Sequence, residues 1–186
     1  LYGVRPYATS AGNETDLPIT TPSTELYRGY FTNAYPKPAM GYLYMKDYLG
    51  DSLFNKTLHN YIQQWHGKHP MPNDFFYSMN EGAGKNLNWF WQKWFFDNGI
   101  PDIAITSVKK IGNKISAIVT AKGSKPVPVD LIVYYKDNST EKIHRSIAVW
   151  EKGNSSTTII FPASKPITKL VLAHPHTPDS NPGDNV

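Results

Sequence analysis

The stretch Leu87-Asn-Trp89-Phe90-Trp91-Gln-Lys-Trp94-Phe95-Phe-Asp-Asn-Gly99-Ile-Pro101 divides the chain in two. Up to Phe95 its apolar residues fall on nearly every side of a helix, and a helix that is hydrophobic all round belongs in an interior. Gly99-Ile-Pro101 ends that pattern. Beyond it, apolar and polar residues alternate with a period of two, as in half-buried strands. The alternation predicts strands over Asp102–Lys109, Lys114–Ala121, Val129–Lys136, Lys142–Trp150, Thr157–Phe161 and Lys169–Ala173. Ile111-Gly-Asn-Lys114 and Lys136-Asp-Asn-Ser139 read as hairpin turns. Short strands with a turn roughly every ten residues predict a small β-sandwich.

Upstream of the dividing stretch the spacing is helical. Met40, Leu43, Tyr44 and Tyr48 recur at three and four residues, so a helix is expected from about Lys37 to Leu49, with Gly50 as its stop. Pro38 is expected at its first position. A second helix starts near Asp51, read as its N-cap, and carries Leu53, Phe54, Thr57, Leu58, Tyr61, Ile62 and Trp65 on one face. His69-Pro70-Met71-Pro72 forces a break. A short third helix follows, with Asp74 supporting its start, and Asn86 is expected to cap the fourth. The first 34 residues are rich in Thr, Ser, Pro, Gly and Asn and show no periodic element. The fold class is therefore α+β, an all-helical lobe followed by a small β-sandwich. The expected segments are 1–34 (extended), 35–100 (helical lobe), 101–174 (sandwich) and 175–186 (a surface tail).

Composition narrows the function. The chain has 186 residues, and its aromatic content of 13% supplies enough large side chains for a substantial core. The net charge of +4 is spread over scattered lysines, with no basic run of the kind that reads nucleic acid. No cysteine is present, which rules out a disulfide framework or a thiol nucleophile within these residues. No apolar run reaches the length of a membrane span, and no signal peptide opens the chain. Since it starts at Leu1, the chain is expected to be a mature or excised piece of a longer protein. The compartment stays open, with an exported or periplasmic setting favoured over the cytoplasm.

One stretch carries chemistry. In Tyr30-Phe-Thr-Asn-Ala-Tyr35-Pro-Lys-Pro-Ala-Met-Gly41, two phenols precede a helix start. A phenolic hydroxyl there is placed to donate to a developing oxyanion. Its alternative is that both rings pack on the helices. Residues 24–110 resemble the rear part of the thermolysin-like domain of zinc aminopeptidases of the aminopeptidase N type (gluzincins). The blocks are Tyr35-Pro-Lys37-Pro-Ala39 with the helix ending at Leu49-Gly50, Phe54 through Trp65, His69-Pro70-Met-Pro72-Asn-Asp74-Phe75-Phe76, and Leu87 through Phe95. The β-rich part from Asp102 resembles the small sandwich that follows in that family.

The resemblance implies that Tyr35 is the catalytic tyrosine and Tyr30 a second, substrate-facing one. It implies zinc in the intact parent and a peptide substrate hydrolysed at its N-terminus. His-Glu-x-x-His is absent from these residues, so no metal ligand is assigned here. The zinc-bearing half is expected upstream, packed against this one, and the 186 residues alone are expected to be inactive. The alternative is a non-catalytic binding or scaffold module that kept the architecture.

Other residues weigh less. Lys37 and Arg28 could meet a substrate carboxylate or an acidic partner, although solvated side chains are the plainer reading. The six histidines include His66 and His69, and His174 and His176, but neither pair has a carboxylate at ligand spacing. Asp179, Asn181 and Asp184 could hold calcium or form an acidic tail. Trp89, Trp91 and Trp94 read as core, while Trp150 is a candidate exposed platform on a strand.

Overall fold

The computed structural model describes residue 7 and residues 11–26, 28–172 and 177–186. A 3-10 turn, Ser23–Glu25, lies ahead of the helices described from residue 30 on. These are α1 (Tyr30–Ala34), α2 (Pro36–Leu49), α3 (Asp51–Trp65), α4 (Pro72–Ala83) and α5 (Asn88–Trp91), the last running into a π-helical turn over Gln92–Phe96. The strands are β1 (Ile103–Ile111), β2 (Lys114–Ala121), β3 (Val129–Tyr135), β4 (Thr140–Arg145), β5 (Ser156–Pro162) and β6 (Ile167–Leu172). They form two three-stranded antiparallel sheets, ordered β1-β2-β5 and β4-β3-β6. A helical lobe followed by a small β domain is what the two periodicities predict.

Local details depart from the sequence reading, each for an identifiable reason. Residues 1–34 are not free of helix among the described positions, because α1 begins at Tyr30. It is only one turn long, too short for a period to show. The following helix starts at Pro36 and not at Pro38. Both prolines fall among the first helical positions, where the missing N–H has no intrahelical partner to lose. Gly50, not Asp51, holds the N-cap position of α3. Asp51 sits in its first turn, where a carboxylate still complements the helix dipole. Asp74 does support α4, since its Oδ2 accepts from Met71 N at 2.7 Å. Asn86 acts one residue further out than a cap, accepting from Asn88 N at 3.0 Å.

The predicted strand over Lys142–Trp150 is the largest correction. β4 ends at Arg145, and Ile147–Trp150 forms a 3-10 turn capped by Ser146. Its Ile147 and Trp150 are buried, and the Trp150 indole donates to Val127 O at 2.8 Å. Trp150 is therefore a core residue and no exposed platform. The last strand reaches Leu172, and Ala173 lies outside the described residues. The end of the chain packs back on the sandwich, with Ser180 N donating to Pro101 O at 3.0 Å and Leu172 N to Asn185 O at 2.8 Å.

The core is continuous across both parts. Buried Met40, Tyr44, Phe76, Phe90, Trp91, Trp94 and Phe95 of the helices belong to one cluster with Val119, Leu131, Val133 and Ile159 of the sheets. Helices approach closely where a glycine permits it. A Cβ at Gly41 would stand 3.2 Å from the Phe95 ring, and one at Gly82 would stand 2.7 Å from Thr57 Cγ2.

Trp94 is the joint. It is fully buried, meets Tyr44 edge-on at 5.2 Å and stacks with Phe90 at 6.0 Å. Its indole N–H crosses to the sandwich and donates to Pro126 O at 2.7 Å. Truncating it removes this bond and leaves a cavity in the shared core. Trp94→Ala is expected to destabilise the chain by about 3–5 kcal/mol. Urea unfolding followed by helical and by aromatic circular dichroism should show both signals shifting together.

Candidate functional site

Tyr35 is the single residue between α1 and α2. Its N–H donates to Phe31 O at 3.1 Å, and its carbonyl accepts from Ala39 N at 3.1 Å. The two helices thus share it as end and beginning. Its side chain is 59% exposed, and its ring lies 5.4 Å from that of Phe31, itself 61% exposed. Ala39 and Leu43 are exposed as well. Residues 31, 35, 39 and 43 are four apart, so they form one stripe along α1 and α2. Tyr30 opens α1 and is 51% exposed. Both predicted site tyrosines thus face outward.

Beneath this surface the usual polarity is inverted. Lys37 is fully buried and paired with Asp16 at 2.6 Å. The same ammonium donates to Leu17 O at 2.6 Å and lies 5.6 Å from the Tyr7 ring centroid. Burial pushes the Lys37 ammonium below its ordinary range, while the hydrogen bond and charge of Asp16 oppose that. The expectation that Lys37 meets a substrate carboxylate or solvent is therefore corrected. A buried charge needs a partner, and Asp16 supplies it from 21 residues away. Arg28 is exposed and borders a cavity of about 230 Å³ with Glu14 and Glu25. Asn33, also buried, donates to Leu17 O and Pro18 O, both at 3.0 Å.

The remaining polar candidates resolve as follows. His66 and His69 are exposed, and His174 and His176 lie outside the described residues. His144 joins β4 to α2 and β3, with Nδ1 2.9 Å from Asp130 Oδ1 and Nε2 3.1 Å from Asp47 Oδ1. Asp102, Asp179 and Asp184 bring carboxylate oxygens within 4.8 Å of one another. Burial, then the charges of Asp179 and Asp184, push the Asp102 carboxyl up. Asp179 accepts from Ile103 N and Asn181 N, which makes this cluster a fastening of the chain end to β1. An all-carboxylate set without histidine does not fit zinc, whose ligands are chiefly His and Cys with at most a carboxylate added. No step at zinc is assigned to this chain's residues.

Sequence reasoning missed Asn80 and Lys125. Asn80 Oδ1 accepts from Leu87 N at 3.2 Å and from the Trp91 indole at 3.0 Å, closing the α4–α5 turn. Lys125, from the loop between β2 and β3, is buried and donates to Lys93 O at 2.7 Å and Asp97 O at 2.9 Å. Those carbonyls belong to the π turn and to the residue that follows it. No local signal marks either residue, because their partners are set by tertiary packing.

Residues 8–94 match the profile of the Peptidase family M1 domain. That match takes in most of the helical part of this chain and ends inside the dividing stretch, at Trp94. A crystal structure of Legionella pneumophila aminopeptidase A in complex with aspartic acid is similar at a TM-score of 0.61 and 18% identity. The likeness covers 86% of this chain and 19% of that one. At that identity it shows the fold, helical lobe and β domain together. No curated protein matches the chain. The resemblance to an aminopeptidase-type fragment is thus supported, and the family match supports a peptidase-family origin for the lobe. No helix among the described residues is long and apolar enough to cross a membrane.

Burial pushes the Lys125 ammonium down to about 7, with Lys37 acting in the same direction and Asp16 and Asp97 opposing. In an unfolded chain a lysine titrates near 10.4. Between those values the unfolded state holds the proton and the folded state does not, so stability rises with pH. This contribution is fully present above about 10.4 and is lost as pH falls to about 7. Burial also raises the phenols of Tyr7 and Tyr44, but their opposing effect starts only above about pH 10. Lys125→Met is expected to flatten a slope of up to about 1.4 kcal/mol per pH unit between about pH 7 and 9.5. Urea midpoints across that window check it.

Proposed function

We propose that this chain is the C-terminal part of a zinc-dependent aminopeptidase-type enzyme that removes N-terminal residues from peptides, and that Tyr35 is its contribution to the reaction centre. The carrying observation is the exposed phenol of Tyr35 at the α1–α2 junction, held by backbone bonds from both helices. The M1 match across the same residues supports the assignment.

Zinc in such an enzyme supplies an activated water and polarises the peptide carbonyl. Its ligands and the glutamate base are assigned to a segment outside these 186 residues, since no His-Glu-x-x-His occurs in them. Tyr35 then donates its O–H to the carbonyl oxygen as negative charge grows there. Such a donor acts where charge develops, so it lowers the barrier more than it tightens substrate binding. Tyr30 faces the substrate from the start of α1. The apolar stripe at 31, 35, 39 and 43 is the seat for the metal-bearing half. Exposed rings and a leucine on one line would lose their water-facing area there.

Two outcomes are expected. In the full-length protein, Tyr35→Phe lowers kcat by about 10²–10³-fold with little change in KM. Steady-state hydrolysis of aminoacyl p-nitroanilides reads this, and wild-type turnover in the variant would remove Tyr35 from the mechanism. The isolated 186-residue chain is expected to show no zinc-dependent turnover of the same substrates; measurable turnover would place the ligands inside it.

A further inference from the structure

We propose that Lys37 is a positioning residue: with Asn33 it fixes the direction in which Tyr35 presents its hydroxyl. This rests on the reading of Tyr35 as the reacting phenol. The two anchors sit at two residues before and two residues after Tyr35, one on each helix. In helical geometry such positions point away from the residue between them. Tyr35 is accordingly exposed while Asn33 and Lys37 are buried.

Both anchors converge on one atom. Asn33 Nδ2 donates to Leu17 O at 3.0 Å from α1, and Lys37 Nζ donates to the same oxygen at 2.6 Å from α2. Asn33 reaches Pro18 O as well, and Lys37 reaches Asp16. Asp16 is itself fixed, since its Oδ2 accepts from Gly12 N at 2.9 Å. Residues 12–18 therefore form a plate to which α1 and α2 are separately fastened.

Among the described residues these side-chain bonds are the ones that fasten the junction from beneath. The start of α2 carries no side-chain capping bond, and Tyr35 itself adopts φ −126° and ψ −75°. The angle between the helices depends on these two dihedrals. A small pivot there swings the Tyr35 ring, and catalytic donors lose effect at displacements near 1 Å. Apolar substitutes for a buried ion pair often pack as well or better, so stability alone does not account for this one. Lys37 and Asp16 thus act as a register device for the tyrosine.

The test separates direction from stability. The 186-residue chain, with tyrosines labelled in the ring, is compared by NMR as wild type, Lys37→Arg and the neutral pair Asp16→Asn with Lys37→Met. The pair is expected to leave the shifts of exposed Tyr77 and Tyr134 in place while Tyr35 shifts and its χ1 couplings average. Lys37→Arg should restore most of the wild-type pattern. If the pair does not fold, Asn33→Ser releases the same plate from α1 and is read in the same way. An unmoved Tyr35 in a folded variant overturns the proposal.

In the full-length enzyme, the neutral pair should lower kcat at least tenfold at constant KM and add nothing in a Tyr35→Phe background. Additive losses would overturn the positioning role. If Tyr35→Phe alone is silent, the catalytic reading of Tyr35 fails, and the NMR comparison still decides the anchoring.

Discussion

The indole of Trp94 holds the molecule together. One face of its environment is helical, through Tyr44 and Phe90, and its N–H reaches the β2–β3 loop at Pro126. That loop returns the contact, since Lys125 donates to Lys93 O within the π turn and to Asp97 O just after it. Aromatic pairs of this kind add about 0.5–1.5 kcal/mol each beyond the area they bury. The paired polar bonds matter for another reason. A buried N–H or ammonium without an acceptor is costly, so each can be satisfied only when lobe and sandwich sit in one relative position. The joint is thus both apolar and directional.

That fixed joint gives α2 a firm base. Gly41 lets the helix lie against Phe95, and His144 ties its last turn to the sandwich through Asp47. The front of the helix is different. There the buried side carries a lysine and the exposed side carries a tyrosine, a phenylalanine and a leucine. Soluble surfaces expose single apolar residues routinely, and a fully buried lysine occurs only with a partner. The two inversions on one helix pair point to the same cause. On the function proposed above, the inner face holds a position and the outer face seats the metal-bearing half.

Much of the fold was readable from local pattern. α3 and β2 fall where the spacing puts them, because a period of 3.6 or of 2 is a property of neighbouring residues. The burial of Trp91 and Trp94 follows the same reading. The misses cluster where structure is short or where partners are distant. α1 is a single turn. Ile147–Trp150 has the alternating look of a strand but bends into the core, where the Trp150 indole finds Val127 O. Lys37 looks like any surface lysine until Asp16 is brought to it.

The sequence alone determined the α+β order, the break at Gly99-Ile-Pro101, the M1-like blocks and the absence of a His-Glu-x-x-His segment. Only the tertiary structure decided which polar groups are paired inside. Periodicity reports which face of an element is wet, since that depends on residues within a turn or two. It carries no information on what stands opposite, because Asp16 and Lys37, Pro126 and Trp94, or Asp47 and His144 meet only after the whole chain has packed.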